Sequence, residues 1–518
     1  MIFSIIYLLA FLLAFTLIII NQMHMFQLNS YKPKVHTAWV RTNLNVIIVK
    51  SILSIFAAAS AILFGTVGTI IGTVILLLTA LINKPVKAKK PLVYTNRVKR
   101  MLVTTAILTA VFILLLSLVL GFGNGTAVVS ALFSICAPFV LLTANALNQP
   151  LEKSINNGFI NEAKDMINAC PDLTVIGVTG SYGKTSVKFY LNKLLSAQYN
   201  VLITPENYNT TLGVVKTIRG SLKATHEIFI CEMGAKNIND IKEICDIVKP
   251  KHGIITSIGP QHLESFKTIE NVVKTKFELA DAVPDDGMVF LNYDNDYIYN
   301  NKINKKIVSY GIEDNNRNEY RAYDITVSVI GSEFKLKDSN GTEHIFSTKL
   351  IGKHNVCNIV AAIAVADKLG VPMDKIIMQV RRLEGVPHRL QLIKGGNALI
   401  IDDAYNSNPS GSKAALETLD TFDGFKVLVT PGMVELGEKQ YECNKEFGVN
   451  AAAVCDFVAL VGKKQTEPIY DGLLSAGYDE KKIFVAANLQ EALGKVNTLN
   501  SCGKQKIVLL ENDLPDNY

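Results

Sequence analysis

Apolar residues crowd the first 150 positions and then thin out to the alternation of a globular protein. Residues 2–20 (IFSIIYLLAFLLAFTLIII) and 101–122 are apolar runs long enough to cross a bilayer as helices, which takes roughly 20 residues. Residues 43–82 are too long for one span, and Gly65 with Gly68 predicts a hairpin turn inside them. Residues 126–146 form a further run, joined to the preceding one by the Gly-Asn-Gly at 123–125. About five spans are expected. The first run has no basic segment before it and no small-residue cleavage site after it, which predicts an anchor and not a removed signal.

Beyond residue 149 the pattern changes. Residues 150–171 read as an amphipathic linker helix. LTVIGVTG is then a buried strand running into a glycine turn, and KTSVKFYLNKLLSA a helix. The apolar strands HEIFICEMG, HGIITSIG and GMVFLNY alternate with helical stretches, which predicts a parallel sheet covered by helices. Short β-rich segments at 320–350 suit a small antiparallel sheet, and from about 390 a strand–helix alternation starts again. The fold class is therefore an all-α transmembrane segment (1–149) and a linker (150–171) followed by α/β. That part comprises a central domain (172–388) with a parallel sheet and a P-loop-like glycine turn, which the family resemblance given below makes a P-loop ATPase domain, and a smaller Rossmann-like C-terminal domain (389–518).

The net charge of +6 changes little in this picture, because much of it flanks the apolar runs. Lys84, Lys87, Lys89, Lys90, Arg97, Lys99 and Arg100 mark the 84–100 loop as cytoplasmic. About five spans then place the N-terminus outside and everything after residue 147 in the cytoplasm. A nucleic-acid partner is not indicated. The eight cysteines form no C-x-x-C pair, which fits free thiols and neither a disulfide framework nor a zinc site.

The chemistry sits at strand ends. In TGSYGKTS (179–186), Gly180 and Gly183 let backbone N–H groups approach phosphate oxygens at a helix N-terminus. Lys184 suits the β- and γ-phosphates, and Thr185 suits Mg²⁺. Glu232 ends an apolar strand as a second Mg²⁺ ligand or a solvated glutamate. His262 follows another strand, and Lys276 lies in the next helix. Asn355 and Asn358, beside His354, offer paired donors and acceptors for adenine, while helix capping explains one of them. Arg389 suits a phosphate, and Asp403, after Asp402, a ribose hydroxyl; an interdomain ion pair fits either residue equally.

Together these stretches, with TPENYNTTLGV (204–214), EMGA, HLESF, DDAYNSNP and PGMVELG (431–437), resemble the Mur ligase family in content and order over roughly 172–512. They are most similar to members that add D-alanyl-D-alanine to a muramyl tripeptide. The resemblance implies ATP-dependent amide-bond formation through an acyl phosphate in cell-wall precursor synthesis. It implies nucleotide binding by Gly180, Ser181, Gly183, Lys184, Thr185, Ser186, Asn355, Asn358, Arg389 and Asp403. Two Mg²⁺ ions would be held by Thr185, Glu232, His262 and Lys276, the lysine being carbamylated. Lys184, His262, Lys276 and Arg389 would be the catalytic set. The apolar segment stands where the family has its first domain, and Glu511-Asn512-Asp513 replaces a usual Lys-Gly-Ser. A lipid-linked or non-murein acceptor such as poly-γ-glutamate therefore stays open, as does a non-catalytic ATP-binding scaffold.

Overall fold

The computed structural model describes residues 2–85, 90–120, 125, 128–129, 133–206, 208–261, 263–314, 316–395, 398–405 and 407–513. They divide into two compact units, one up to Gly158 and one from Phe159 onward.

The described residues of the first unit are helical wherever they have regular structure. Among the described residues, three helices are long and apolar enough to cross a membrane, where about five spans are expected in the whole segment: Ile2–Leu28, Ser51–Ile82 and Asn96–Leu120. The second of these is doubled back on itself. Gly65 (φ 55°, ψ −125°) interrupts the Leu44–Ile82 helix, and Ser60 Oγ donates to Gly68 O at 3.0 Å. Residues eight apart in a straight helix would be separated by about 12 Å. The expected hairpin is therefore present, and its arms approach closely because Gly68 and Gly72 carry no side chain on the returning arm. A Cβ on Gly68 would lie 1.8 Å from Ser60 O, and one on Gly72 would lie 2.6 Å from the Tyr7 ring. Lys87, Lys89, most of the 123–125 turn and parts of the 126–146 run lie outside the described residues. The expected linker helix runs on from the preceding apolar run: Ala137–Asn168 is one helix with Pro150 inside it.

The second unit holds two mixed sheets, both largely parallel. The first sheet contains β1 (Thr174–Thr179), β2 (Val201–Ile203), β3 (Ile228–Glu232), β4 (His252–Ile255), β5 (Met288–Asn292) and β6 (Ile307–Gly311). It continues through β7 (Tyr320–Ser328), β8 (Gly331–Lys337) and β9 (Glu343–Thr348). Its order is β2-β3-β1-β4-β5-β6-β7-β8-β9, parallel as far as β7 and antiparallel beyond, as the 320–350 pattern predicts. Strand β1 lies between β3 and β4, where the chain order reverses and a crevice opens beyond the strands' carboxyl ends.

Alternation along β1 covers both faces. Ile176 and Val178 pack with Val187, Leu191 and Leu194 of the Lys184–Leu195 helix and with Ile359 and Ile363 of the Lys353–Lys368 helix. Val175 faces the other way, toward Ile241, Ile244 and Leu279. The second sheet contains β10 (Gln391–Gly395), β11 (Ala398–Asp403), β12 (Phe425–Thr430), β13 (Phe457–Val461), β14 (Ile483–Ala486) and β15 (Lys506–Glu511). Its order is β10-β11-β15-β12-β13-β14, parallel except for β10.

The hairpin contact gives a direct test. Gly68→Val should destabilise the helical unit by about 1–3 kcal/mol, read as a lower thermal midpoint in detergent. Gly158→Ala, where nothing lies within 4 Å, should leave that midpoint unchanged or raised.

Candidate functional site

The turn after β1 has little room for anything larger than glycine. Gly180 (φ 148°) would carry a Cβ 2.1 Å from Thr256 Oγ1, and Gly183 (φ 82°) one 2.6 Å from Asn358 Oδ1. The turn is pinned from the β4 side: Ser181 N donates to Ser257 O at 2.6 Å and Tyr182 OH to Pro260 O at 3.0 Å. Ser181 Oγ also donates to Gly259 O at 3.1 Å, and Thr256 Oγ1 donates to Tyr182 O. Lys184 opens the following helix and curls back over the turn, Nζ donating to Gly180 O at 2.6 Å and Ser181 O at 3.0 Å. Burial, with Arg389 adding to it and Glu232 opposing it, brings the Lys184 pKa down to about 8. Ser186 is buried behind the turn.

Glu232, at the end of β3, meets Thr185 directly. Thr185 Oγ1 and Asn209 Nδ2 each donate to Glu232 Oε1 at 3.1 Å. The other carboxylate oxygen lies 2.9 Å from Lys188 Nζ in an ion pair whose side chains are 0 % and 1 % exposed. Lys188 Nζ also donates to Glu206 O at 2.6 Å. Burial alone would raise the Glu232 pKa; Lys188 and Lys184 outweigh it and hold the carboxyl below its usual range. Sequence reasoning missed Lys188. Its signal is a lysine on the apolar stripe of Val187, Leu191 and Leu194, where a buried charge needs a partner. Mg²⁺ is commonly held by one or two carboxylates together with phosphate oxygens and water, and Thr185 Oγ1 with Glu232 Oε1 fits that mode. Among the described residues, no group of three or more His, Cys, Asp or Glu forms a protein-only metal cage.

Lys276 lies in the Ile269–Ala282 helix and is 3 % exposed. Burial first, then Lys184, hold its pKa well below the ordinary lysine value, against weaker support from Asp240 and Glu278. No hydrogen bond or ion pair reaches its ammonium among the described residues. His262 lies outside the described residues.

The two asparagines separate. Asn358 abuts Gly183 at the end of the turn. Asn355 is buried and turned inward, accepting from Tyr190 OH at 2.8 Å and donating to Ile351 O at 2.9 Å. One lone pair and one N–H of its amide are therefore used inside the domain, leaving one of each. Beside it, burial pushes His354 down to about 4, so its imidazole is neutral.

Arg389 stacks over the Tyr405 ring at 4.2 Å, and its charge is felt at both Lys184 and Asp403. Asp403 ends β11 and accepts from Leu390 N at 3.1 Å. Burial pushes its carboxyl up to about 6 against the pull of Arg389. Its register partner on β15 is Glu511, which is 1 % exposed. The Ser407 and Thr430 hydroxyls donate to the two Glu511 oxygens. Burial, with Asp403 adding to it, pushes Glu511 up to about 8.

Residues 178–366 match the Mur ligase middle domain, and residues 388–510 match the Mur ligase glutamate ligase domain. Among curated proteins, the UDP-N-acetylmuramoyl-tripeptide–D-alanyl-D-alanine ligase of Bacillus subtilis (strain 168) is 33% identical over 277 residues. That alignment covers 53% of this chain and 59% of the relative. The protein of the same name from Escherichia coli (strain K12) is 32% identical over 294 residues, 56% of this chain and 65% of the relative. The chain thus spans less than two thirds of these relatives. Among solved structures, MurF from Acinetobacter baumannii aligns with a TM-score of 0.63 at 26% identity, covering 70% of this chain and 78% of that one. MurF ligase from Thermotoga maritima in complex with ADP gives 0.62 at 25%, covering 69% and 80%.

Two predictions come from the buried charges. Lys188→Met should cost about 3–5 kcal/mol in denaturant unfolding, because Glu232 is left buried and unpaired. Adding Glu232→Gln should recover a large part of that loss. Glu511 has a folded pKa of about 8, above its ordinary 4.5. Its contribution to stability is therefore complete below pH 4.5 and lost as pH rises through 8. Glu511→Gln should flatten the stability profile across that window and raise stability at its alkaline end.

Proposed function

The chain belongs to the Mur ligase family, and from that premise we propose that it is an ATP-dependent ligase that forms an amide bond through an acyl phosphate. The observation that carries this reading is the convergence at one set of strand ends. A glycine turn with Lys184 and a Thr185–Glu232 pair lie beside Lys276, a buried lysine without a partner among the described residues.

The turn's backbone N–H groups and Lys184 bind the ATP phosphates, and the glycines allow the close approach. Thr185 and Glu232 hold Mg²⁺, which when bound offsets charge on the transferring phosphoryl group. The acceptor carboxylate attacks the γ-phosphorus, the bond to ADP breaks, and an acyl phosphate forms. The incoming amine then attacks its carbonyl carbon, loses a proton and displaces inorganic phosphate. Arg389 offsets phosphate charge and Asp403 accepts from a ribose hydroxyl; Asn358 meets the base, while Asn355 positions Tyr190 behind it. Burial holds the Lys276 pKa well below the ordinary lysine value, which favours the uncharged amine, the form that adds CO₂ and loses a proton to become a carbamate. That anion, with His262, would hold a second Mg²⁺.

The similarity to D-alanyl-D-alanine-adding relatives supports a muramyl tripeptide as acceptor and D-Ala-D-Ala as amine. The apolar N-terminal helices support a multi-pass anchor in the cell membrane, and the basic 84–100 loop, with the 126–146 run as a further span, supports ligase domains facing the cytoplasm. They also favour a second reading, a lipid-linked acceptor already held at the bilayer.

Full-length protein in detergent, given ATP and Mg²⁺, should produce ADP over many turnovers only when both an acceptor carboxylate and an amine are present. A panel of free and lipid-linked muramyl peptides with D-Ala-D-Ala decides between the readings; ADP release with none of them would remove the muramyl assignment. Lys276→Ala should abolish ligation, and short carboxylic acids should restore part of it. Full activity in that variant would rule out the carbamate.

A further inference from the structure

Residues 1–158 carry twelve lysines and arginines and one acid, Glu152. The cations fall at 32–50, 84–100 and 153, and the described parts of those segments lie at one end of the helical unit. Gly65 turns the Leu44–Ile82 helix back, so its two ends lie on the same side. Asn21 Nδ2 donates to Asn83 O at 2.8 Å and Gln27 Nε2 to Val93 O at 2.9 Å, which ties residues 83–93 to the end of the Ile2–Leu28 helix. We propose that this end binds the phosphate headgroup of a membrane lipid at Arg97; the proposal rests on the reading of the unit as membrane-spanning.

Membrane sidedness accounts for basic loops but not for the setting of Arg97. Sidedness needs charge near the membrane ends and no particular contacts. Arg97 is instead half-buried, its guanidinium laid over the Tyr31 ring at 4.1 Å. One of its five N–H groups has an acceptor among the described residues, Asn145 Oδ1 at 3.4 Å, and Nε is closed off from water with none. Glu152 is already used: its two oxygens accept from Arg100 at 2.7 and 2.9 Å. No carboxylate touches Arg97 among the described residues. Arg97 also stands in the first turn of the Asn96–Leu120 helix, where the helix dipole disfavours a cation. A charge partly withdrawn from water and set against its own helix is stabilised by an anion from outside the chain.

A phosphate group fits that need. The planar guanidinium presents parallel N–H groups that match two phosphate oxygens, and a ring against its face leaves its edges to the ligand. The surroundings select a lipid over a free ion. Val98 and Met101, beside Arg97, pack with Met23, Phe26 and Leu141 in the apolar cluster at this end of the unit. Val111, Leu115 and Leu118 lie within about 60° of Arg97 around the same helix and are exposed apolar side chains. A hydrocarbon chain can lie along them while its phosphate meets the guanidinium. Trp39 and Tyr94 stand in the segments at the same end, and such rings favour the headgroup level of a bilayer.

The chain's single tryptophan reports on the site. Trp39 stacks on His36, which meets Phe26, which meets the Tyr31 ring under Arg97. Full-length protein in nonionic detergent is titrated with dioctanoyl phosphatidylglycerol, farnesyl diphosphate, inorganic pyrophosphate and dioctanoyl glycerol, read by Trp39 fluorescence. A saturable change is expected with a phosphate-bearing lipid and not with pyrophosphate or dioctanoyl glycerol. Saturation by phosphatidylglycerol marks a bulk phospholipid as the occupant, and by farnesyl diphosphate alone a lipid diphosphate. Arg97→Gln should weaken the saturating lipid about thirtyfold or more. Lys99→Gln, which removes the same charge from an exposed side chain, should weaken it about fivefold or less. No saturation by either lipid, saturation by pyrophosphate at the same affinity, or equal losses in the two variants overturns the proposal. Arg97→Lys keeps the charge and loses the planar fork, so affinity should still fall about tenfold. An unchanged affinity there contradicts the assignment. Release of the protein from membranes by alkaline carbonate would sink the anchor reading instead, and the titration would still decide the site.

Discussion

A lysine and a glutamate closed off from water hold the candidate site together. Lys188 belongs to the helix that the glycine turn launches, and Glu232 to the end of the neighbouring strand. Their ion pair also captures Glu206 O and, through Glu232, the Asn209 amide. Helix, strand end and the 204–209 segment are thereby fixed at one point. A buried pair of this kind is tolerable only when nearly every donor and acceptor is used, because each charge alone would cost several kcal/mol to bury. The same satisfaction leaves Glu232 ionised and aims its other oxygen at Thr185, where a cation has use for it.

Around that fixed point, the candidate residues come from carboxyl ends of strands in two sheets. The crossover between β3 and β4 leaves the turn after β1 at the crevice, and the second sheet contributes Asp403. Arg389, just ahead of β10, is felt electrostatically by both Lys184 and Asp403, so one guanidinium links the two sheets' contributions. Polar groups from separate domains converge on a small volume while each domain keeps its own apolar core.

The parts legible from sequence were those with a local cause. The strand–glycine–helix order, the alternation of strands and helices and the reversal at Gly65 each follow from residues a few positions apart. Lys276 could be named from its motif, but its burial without a partner among the described residues is a tertiary fact. The inward bonds of Asn355 to Tyr190 and Ile351 have no local signature, because an asparagine at a helix start reads alike whether it faces a ligand or the domain interior. Lys188 was missed because its partner lies 44 positions away on a different element.

The central claim is that the acceptor carboxylate is activated by phosphoryl transfer within this site. It is tested most directly by oxygen transfer. With an acceptor whose carboxylate carries ¹⁸O at both oxygens, an acyl phosphate requires one labelled oxygen to leave with inorganic phosphate for every amide formed. Mass spectrometry of the released phosphate should show that single label in step with ADP. Phosphate released without label while amide accumulates would contradict the account.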